Sequence, residues 1–422
     1  MSEQQVVPDR SAGAGPGGRT ATRPRATIAV AGLAAVALWV WAAHVLWHSS
    51  VPSDLSLPHV DVRGFFSASF LRSSESFQRF LDVDGLLGTV VVVAVLAVYA
   101  SRGQRLARES AAGRIGTGLL LGMLGFAVTW LAVAPFGLAG VWWERRHHIS
   151  HQGYASWLLG SFLGLGAQFV YISLALAIVM GLAARTRRWW WLTAAPVFAA
   201  LALLSAYLSP FLLTGTHPLR DPAIAAEAHV LAAREGVPGT KVVVQTVSHE
   251  VTAPNAEAVG LGPSRRVVLW DTLLDGRFDH AEVGVVVAHE LGHIAHGHLL
   301  KRVGWLILFL VPAAGLVALA TRGRGGLARP EAVPLALLVY VVLQIATLPL
   351  AAMVSRREEA EADWSALRAT HEPATARRLF VGLATSSLAD PDPPAWSYVL
   401  YADHPTIAQR IAMTQAWEMQ RR

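Results

Sequence analysis

The segment VVVAHELGHIAHGHLL, residues 285–300, carries four histidines and one glutamate in an otherwise apolar run. Its centre, His289-Glu290-Leu291-Gly292-His293, fits the pattern H-E-x-x-H. Residues four apart lie on the same face of a helix, so both imidazoles can reach a single metal ion. The glutamate lies slightly aside, where it can take a proton from water as that water attacks a carbonyl carbon. The segment therefore predicts a zinc site with hydrolytic chemistry.

A chance match is the alternative for so short a pattern. The setting favours a site, because two histidines and a glutamate are costly on an apolar helix unless they bind a metal or face water. Two histidines leave a zinc site incomplete, so a third ligand must come from elsewhere. The long metzincin pattern would place glycine at 296 and histidine at 299, but the chain has His296 and Leu299 there. For His296 and His298 we expect an interfacial or water-facing position.

A glutamate on a second helix is the other source of a third ligand. The segment SRREEAEAD, residues 355–363, offers it, since Glu359 and Asp363 are four apart and share a helix face. That spacing suits one ligand and one carboxylate that supports a ligand. A solvated charged face after a membrane span is the alternative for Glu358, Glu359 and Glu361, and the spacing alone leaves both open.

The composition is that of a membrane protein. Of the 422 residues 53% are hydrophobic and only 15% are charged, which is too apolar for an ordinary soluble enzyme. A helix needs about 20 apolar residues to cross a bilayer, and we predict about seven spans, near 27–47, 85–100, 115–137, 157–184, 189–213, 303–320 and 333–354. The basic residues are mostly arginines in short loops, which orient membrane proteins, so we expect no nucleic-acid partner. The absence of cysteine excludes disulfides and thiolate ligands.

These spans divide the chain into five parts. Residues 1–26, rich in glycine, proline and arginine, are expected to be disordered, and residues 27–213 to form a five-helix membrane domain. Residues 214–302 would form the first part of a metallopeptidase domain, with short strands that include a hairpin around the Gly-Pro turn at 262–264. The HExxH helix of this part would begin at a capping box formed by Asp279 and Glu282. Two transmembrane helices follow in 303–354, and 355–422 would complete the domain with the third ligand. The predicted fold class is mostly α: a polytopic membrane protein with a small α+β zincin-type catalytic domain.

Several motifs, in order, resemble those of the integral-membrane gluzincin endopeptidases that include the type 1 CaaX prenyl protease, with the bacterial heat-shock membrane protease as a more distant relative. They are APFGLAGVWWERRHHISHQ (134–152), PNAEAVGLGPSRRVVLWDTLLD (254–275), HELGH, SRREEAEAD and HPTIAQRI (404–411). One departure is His148, which stands where the family usually has glycine. The resemblance implies one zinc ion per chain, held by His289, His293 and Glu359, with Glu290 as general base.

The resemblance also implies roles for four further residues. Asp363 matches an aspartate often assigned as proton donor, although its position also suits a group that orients His289 or His293. His404 matches the residue that supports the tetrahedral oxyanion, with Arg410 positioning it. Asn255 matches a substrate-binding residue on an edge strand, where a peptide could add as an extra strand, and Arg410 is expected to take part in substrate binding as well.

The function expected from the residues and the resemblance is a membrane-embedded zinc endopeptidase of the cell membrane. Its partners would be the lipid bilayer and a peptide or protein substrate, one associated with the membrane or presenting its C terminus. A membrane sensor or regulator with a metallopeptidase domain, and a quality-control protease, are the alternatives. The loop arginines favour a cytoplasmic N terminus, which would place the catalytic segment outside, whereas eukaryotic members of the family are thought to face the cytosol. Both orientations stay open.

Overall fold

The structure, a computed structural model, describes residues 23–110 and 112–421. The disorder predicted for residues 1–22 lies outside the described residues. The described residues divide into two compact units, one up to residue 45 and one from residue 46 onward. In the first unit the described residues belong to helix α1 (Arg23–Leu46). The helix begins within the range 1–26 for which the sequence predicts disorder.

The second unit is mostly helical. Its helices are α2 (Ala68–Glu109), α3 (Gly113–Arg146), α4 (Tyr154–Thr186), α5 (Trp190–Leu212), α6 (Pro222–Arg234), α7 (His280–Ala295), α8 (His298–Ala320), α9 (Val333–Thr370), α10 (Pro373–Ser387), α11 (Ala395–Tyr401) and α12 (Ile407–Gln420).

Helices long and apolar enough to cross a membrane occupy five ranges of the described chain. They are Ala68–Ala107, Gly113–Arg146, Tyr154–Leu212, His298–Ala320 and Pro330–Thr370. The third range holds both α4 and α5, and a shorter apolar helix covers Gly32–Leu46. The mostly α, polytopic fold with a small sheet is thus as predicted, with the number of spans approximate.

Helix α9 differs from its prediction in a way that matters for the site. The sequence predicts a membrane span that ends at 354 and a separate polar segment from 355, but α9 continues without a break to Thr370. Nothing interrupts it, because residues 355–370 contain neither glycine nor proline. The predicted third ligand, Glu359, therefore lies on the extension of a membrane helix.

The described sheet has the strand order β1-β2-β4-β3. Its strands are β1 (Thr216–Pro218), β2 (Lys241–Gln245), β3 (Ala256–Val259) and β4 (Arg266–Trp270). Strands β2 and β4 are parallel, and β3 pairs antiparallel with β4 across the Gly-Pro turn that the sequence predicts. Strand β3 lies at one edge of the sheet and packs beside α7.

The hydrophobic core below the site joins the sheet to helices α6, α7, α9, α10 and α12. Residues 267–269 of β4 are fully buried, and Leu291 of α7 and Ile411 of α12 are buried beside them. This core fixes α7 between the sheet and α9, and so determines which face of α7 meets the carboxylates of α9.

Candidate metal centre and active site

Local sequence determines where helix α7 begins and how closely it packs against α9. Asp279 accepts a hydrogen bond from the backbone N–H of Glu282, and the Glu282 carboxylate accepts one from the N–H of Asp279, as the predicted capping box requires. Gly292 then allows α9 to come close, since a Cβ there would lie 3.0 Å from Cβ of Ser365 and 3.4 Å from Cα of Ala362. The polar face of α7 is thereby pressed against α9.

Three predicted ligands converge where α7 meets α9. His289, His293 and Glu359 each offer one ligand atom, all within 4.8 Å of one another. Oε2 of Glu359 lies 3.1 Å from Nε2 of His289 and 3.3 Å from Nε2 of His293, and the two Nε2 atoms are 3.1 Å apart. Zinc bonds of about 2.0–2.1 Å at tetrahedral angles separate ligand atoms by roughly 3.3 Å. The donor set and its spacing therefore fit a zinc ion.

A cavity of about 460 Å³ opens beside these residues. Its lining includes the predicted site residues Asn255, His289, Glu290, Asp363, His404 and Arg410. The Glu290 side chain reaches it from a buried position on α7. The cavity thus brings the predicted general base, one predicted ligand and both predicted substrate-binding residues to one space.

Asp363 contacts His289 at Nδ1, the ring nitrogen that does not face Glu359. Its Oδ1 lies 2.9 Å from Nδ1 of His289, and Arg410 donates to Oδ1 over 2.6 Å and to Oδ2 over 2.8 Å. The guanidinium also stacks over the ring of Phe380. Burial by itself would lower the pKa of His289, but Asp363 and Glu359 raise it to about 10. That rise shows how strongly this pocket attracts positive charge.

His404 lies at the rim of the site. Its Nε2 is 3.1 Å from Oε2 of Glu359, and its Nδ1 is 2.8 Å from Oδ1 of Asp403. About half of the side chain is exposed. Burial lowers the pKa of His404, but Asp403 and Glu359 together raise it to about 9. Asp403, which sequence reasoning missed, accepts from the His404 ring, and Arg410 donates to Asp363.

Asn255 stands exposed immediately before the edge strand β3. Its backbone carbonyl accepts from the N–H of Trp270 over 3.0 Å. On β3 itself, burial raises the pKa of Glu257, and the negative charge of Glu290 raises it further. The edge strand therefore runs alongside the predicted general base.

The structure decides against one open alternative and one expectation for neighbouring residues. Glu358, Glu359 and Glu361 do not form a solvated face, since all three are buried between α9 and its neighbours. His298 is not water-facing either: it is 1% exposed and lies behind His293. His296 is half-buried, with Nε2 3.2 Å from the hydroxyl of Ser365. The sequence did contain a signal for the burial of the α9 residues, because Glu358, Glu361 and Ser365 repeat at the three-to-four-residue period of a buried helix face.

The comparisons with known proteins agree with this geometry. Residues 218–418 match the model of peptidase family M48, which spans both polar segments and all of the predicted site residues. The uncharacterized metalloprotease YhfN of Bacillus subtilis is 28% identical over 303 residues, which are 67% of this chain and 70% of that protein. The chain is a membrane metallopeptidase similar to family M48. Peptidases of that family are zinc-dependent in general.

Two further similarities confirm the predicted resemblance to the CaaX prenyl proteases. CAAX prenyl protease 1 of Saccharomyces cerevisiae is 32% identical over 105 residues, 25% of this metallopeptidase and 23% of that protein. The crystal structure of S. mikatae Ste24p aligns with a TM-score of 0.74 at 16% identity, and covers 90% of this metallopeptidase and 96% of that chain. The fold of the metallopeptidase, including its membrane helices, is therefore that of Ste24p.

Proposed function

We propose that this metallopeptidase is an endopeptidase that holds one zinc ion on His289, His293 and Glu359 and uses Glu290 as general base. The observation that carries the proposal is the convergence of two imidazole nitrogens and one carboxylate oxygen at zinc spacing beside a buried glutamate. All four groups lie at or next to a cavity large enough for several residues of a peptide.

Bound zinc would act as a Lewis acid and would lower the pKa of a water molecule to about 7. The Glu290 carboxylate takes the proton of the attacking water and passes it to the nitrogen of the leaving amine. His404, held by Asp403, donates from Nε2 to the oxyanion that develops on the scissile carbonyl. Its position at the rim leaves room for a substrate backbone between it and Glu290.

In this proposal Asp363 orients His289 and does not donate a proton. It accepts from Nδ1 of His289 and from two nitrogens of Arg410, so its charge is fully engaged. A carboxylate that accepts from Nδ1 fixes the tautomer of His289, with Nε2 left free for the metal. Arg410 then acts through Asp363, and not as a direct contact to the peptide.

The substrate is a peptide that adds as an extended strand to β3. This strand has one free edge, runs beside Glu290 and is preceded by Asn255, whose side chain lines the cavity. Since Glu359 lies on the extension of a membrane helix, a substrate associated with the membrane, including a C-terminal peptide of the CaaX type, reaches the site directly. We propose the cell membrane as the location of this multi-pass protein.

Separating metal binding from catalysis tests this proposal. In the full chain purified in detergent, wild type is expected to carry one zinc per chain and to cleave peptides. Glu290→Gln keeps the zinc but slows cleavage about 10²–10⁴-fold, the usual contribution of a general base, whereas His293→Ala loses the zinc. Zinc content by mass spectrometry and peptide cleavage are the two measurements.

The matched control is His249→Ala, since that histidine is largely exposed and pairs only with its neighbour Glu250. It should keep both zinc and activity. A His293→Ala variant that retains one zinc per chain would refute the ligand set.

A further inference from the structure

A second group of buried polar residues lies behind the ligand His293, away from the cavity. We name it the relay: His298 and Lys301 from α8 and Glu361 from α9. Nδ1 of His298 lies 2.7 Å from Nδ1 of His293, and Nε2 of His298 lies 3.0 Å from Oε2 of Glu361. His298 and Glu361 are 1% and 2% exposed, so water cannot replace these contacts.

The relay permits one arrangement of protons. A carboxylate accepts only, so Nε2 of His298 carries the proton and donates it to Glu361. In the neutral imidazole, Nδ1 of His298 is then an acceptor, and Nδ1 of His293 must donate to it. The remaining nitrogen of His293, Nε2, keeps its lone pair, and this is the atom that faces Glu359 and His289. The relay thus selects the tautomer of His293 that can bind a metal.

Other contacts keep Glu361 ionised and fixed. Nζ of Lys301 donates to its Oε2 over 2.9 Å, and the backbone N–H of Ser50 donates to its Oε1. Lys301 also donates to the carbonyl of His48 over 3.2 Å. The ammonium already on this carboxylate repels a second cation at His298 and Glu361.

The break between α7 and α8 creates this contact. Gly297 has φ 64°, in the left-handed region, so α7 ends and α8 starts afresh at His298. In one continuous helix, five residues turn the chain by about 500°, which would place His298 away from His293. The glycine turns the chain so that the His298 ring faces back to His293.

We propose that His298 and Glu361 are positioning residues for the metal ligand His293. They hold its Nδ1 proton, and with it the ring, so that Nε2 is presented to the metal. The inference rests on the proposed function, since it assumes that His293 binds zinc. It assigns to the membrane helix α8 a part in building the metal centre.

Zinc affinity of the full chain, measured by competition with a chromophoric chelator, tests the inference. His298→Phe keeps the ring but removes the acceptor, and it should weaken zinc binding roughly 10–100-fold, the range for partners of ligating histidines. Glu361→Gln should weaken it about tenfold. In the double variant the loss should equal that of His298→Phe alone, because Glu361 acts on His293 only through His298.

The control is His296→Phe, since His296 contacts the same carboxylate at 3.5 Å without reaching a ligand. It should bind zinc within about twofold of wild type. Thermal unfolding of each metal-free variant separates lost folding from lost affinity. If His298→Phe does not fold, His298→Asn, whose amide oxygen can accept from His293, should recover affinity relative to His298→Ala.

Additive losses from His298→Phe and Glu361→Gln, or wild-type affinity in a folded His298→Phe protein, would overturn the inference while leaving the ligand set intact. Zinc retained by His293→Ala would overturn both the inference and the proposed function.

Discussion

The two histidines of the HExxH helix sit one turn apart but are supported in different ways. His289 contacts a carboxylate directly. Asp363 accepts a hydrogen bond from its Nδ1, and Arg410 of α12 donates two hydrogen bonds to the same carboxylate. His293 is linked to its carboxylate through a second histidine. His298 lies between His293 and Glu361, and Lys301 donates one hydrogen bond to the Glu361 carboxylate. Both supports use a carboxylate from α9.

The difference lies in what each support depends on. For His289, the residue that holds the carboxylate is Arg410, on helix α12, which packs into the hydrophobic core. The His293 support draws His298 and Lys301 from α8, a helix apolar and long enough to cross the membrane. If the proposed ligand set is correct, the membrane helices do more than anchor the enzyme, because the packing of α8 against α9 brings His298 to the proposed ligand His293.

The largest difference is expected when the two carboxylates are removed. Asp363→Ala leaves the buried Arg410 guanidinium without its partner, which should destabilise the metal-free protein by about 3–5 kcal/mol. Glu361→Ala should cost less, under about 2 kcal/mol, since Lys301 is 21% exposed and its ammonium can turn to water. Unfolding in detergent, followed by circular dichroism, measures both. Equal losses would show that the two supports are equally dependent on their ion pairs.

Replacing Arg410 and Lys301, the two basic residues that hold the carboxylates, should have a smaller effect, which is measured on zinc affinity. Arg410→Lys keeps the charge but loses the two-pronged contact with Asp363, and we expect roughly tenfold weaker zinc binding. Lys301→Met should cost no more than about threefold, since Ser50 and His298 still donate to Glu361. Chelator competition ranks the two variants, with Arg377→Lys, which alters an ion pair away from the site, as control. The reverse order would contradict the stronger role assigned to Arg410.

The smallest effect is expected from the remaining glutamate of the motif. Glu358 accepts from Nε of Arg302 over 2.7 Å, and the same guanidinium donates to Oε1 of Glu359 over 3.3 Å. Glu358→Gln keeps an amide oxygen that can accept from Arg302, so it should leave zinc affinity and cleavage within about twofold of wild type. The same assays apply. Loss of zinc in this variant would place the third ligand one residue earlier in α9 than we propose.

Much of the site could be predicted from sequence because its parts repeat locally. The period of a helix fixes that His289 and His293 share a face, that Glu290 lies beside them, and that Glu359 and Asp363 share a face. The capping box at Asp279 and the turn before β4 were equally readable, since each depends on residues only a few positions apart. Apolar length gave the membrane helices in the same way.

The rest depended on contacts between distant parts of the chain. His289 and Asp363 are 74 residues apart, and His298 and Glu361 are 63 residues apart. The absence of glycine and proline allows the run SRREEAEAD to continue a membrane helix, and its spacing is that of a buried face, but no local pattern states that it packs against α7 and α8. Burial also turned His298 from an expected surface residue into the partner of a ligand. The sequence by itself determined the ligand types and their helical spacing, because these follow from backbone geometry; the packing of α7, α8 and α9 decided which second residue each ligand meets.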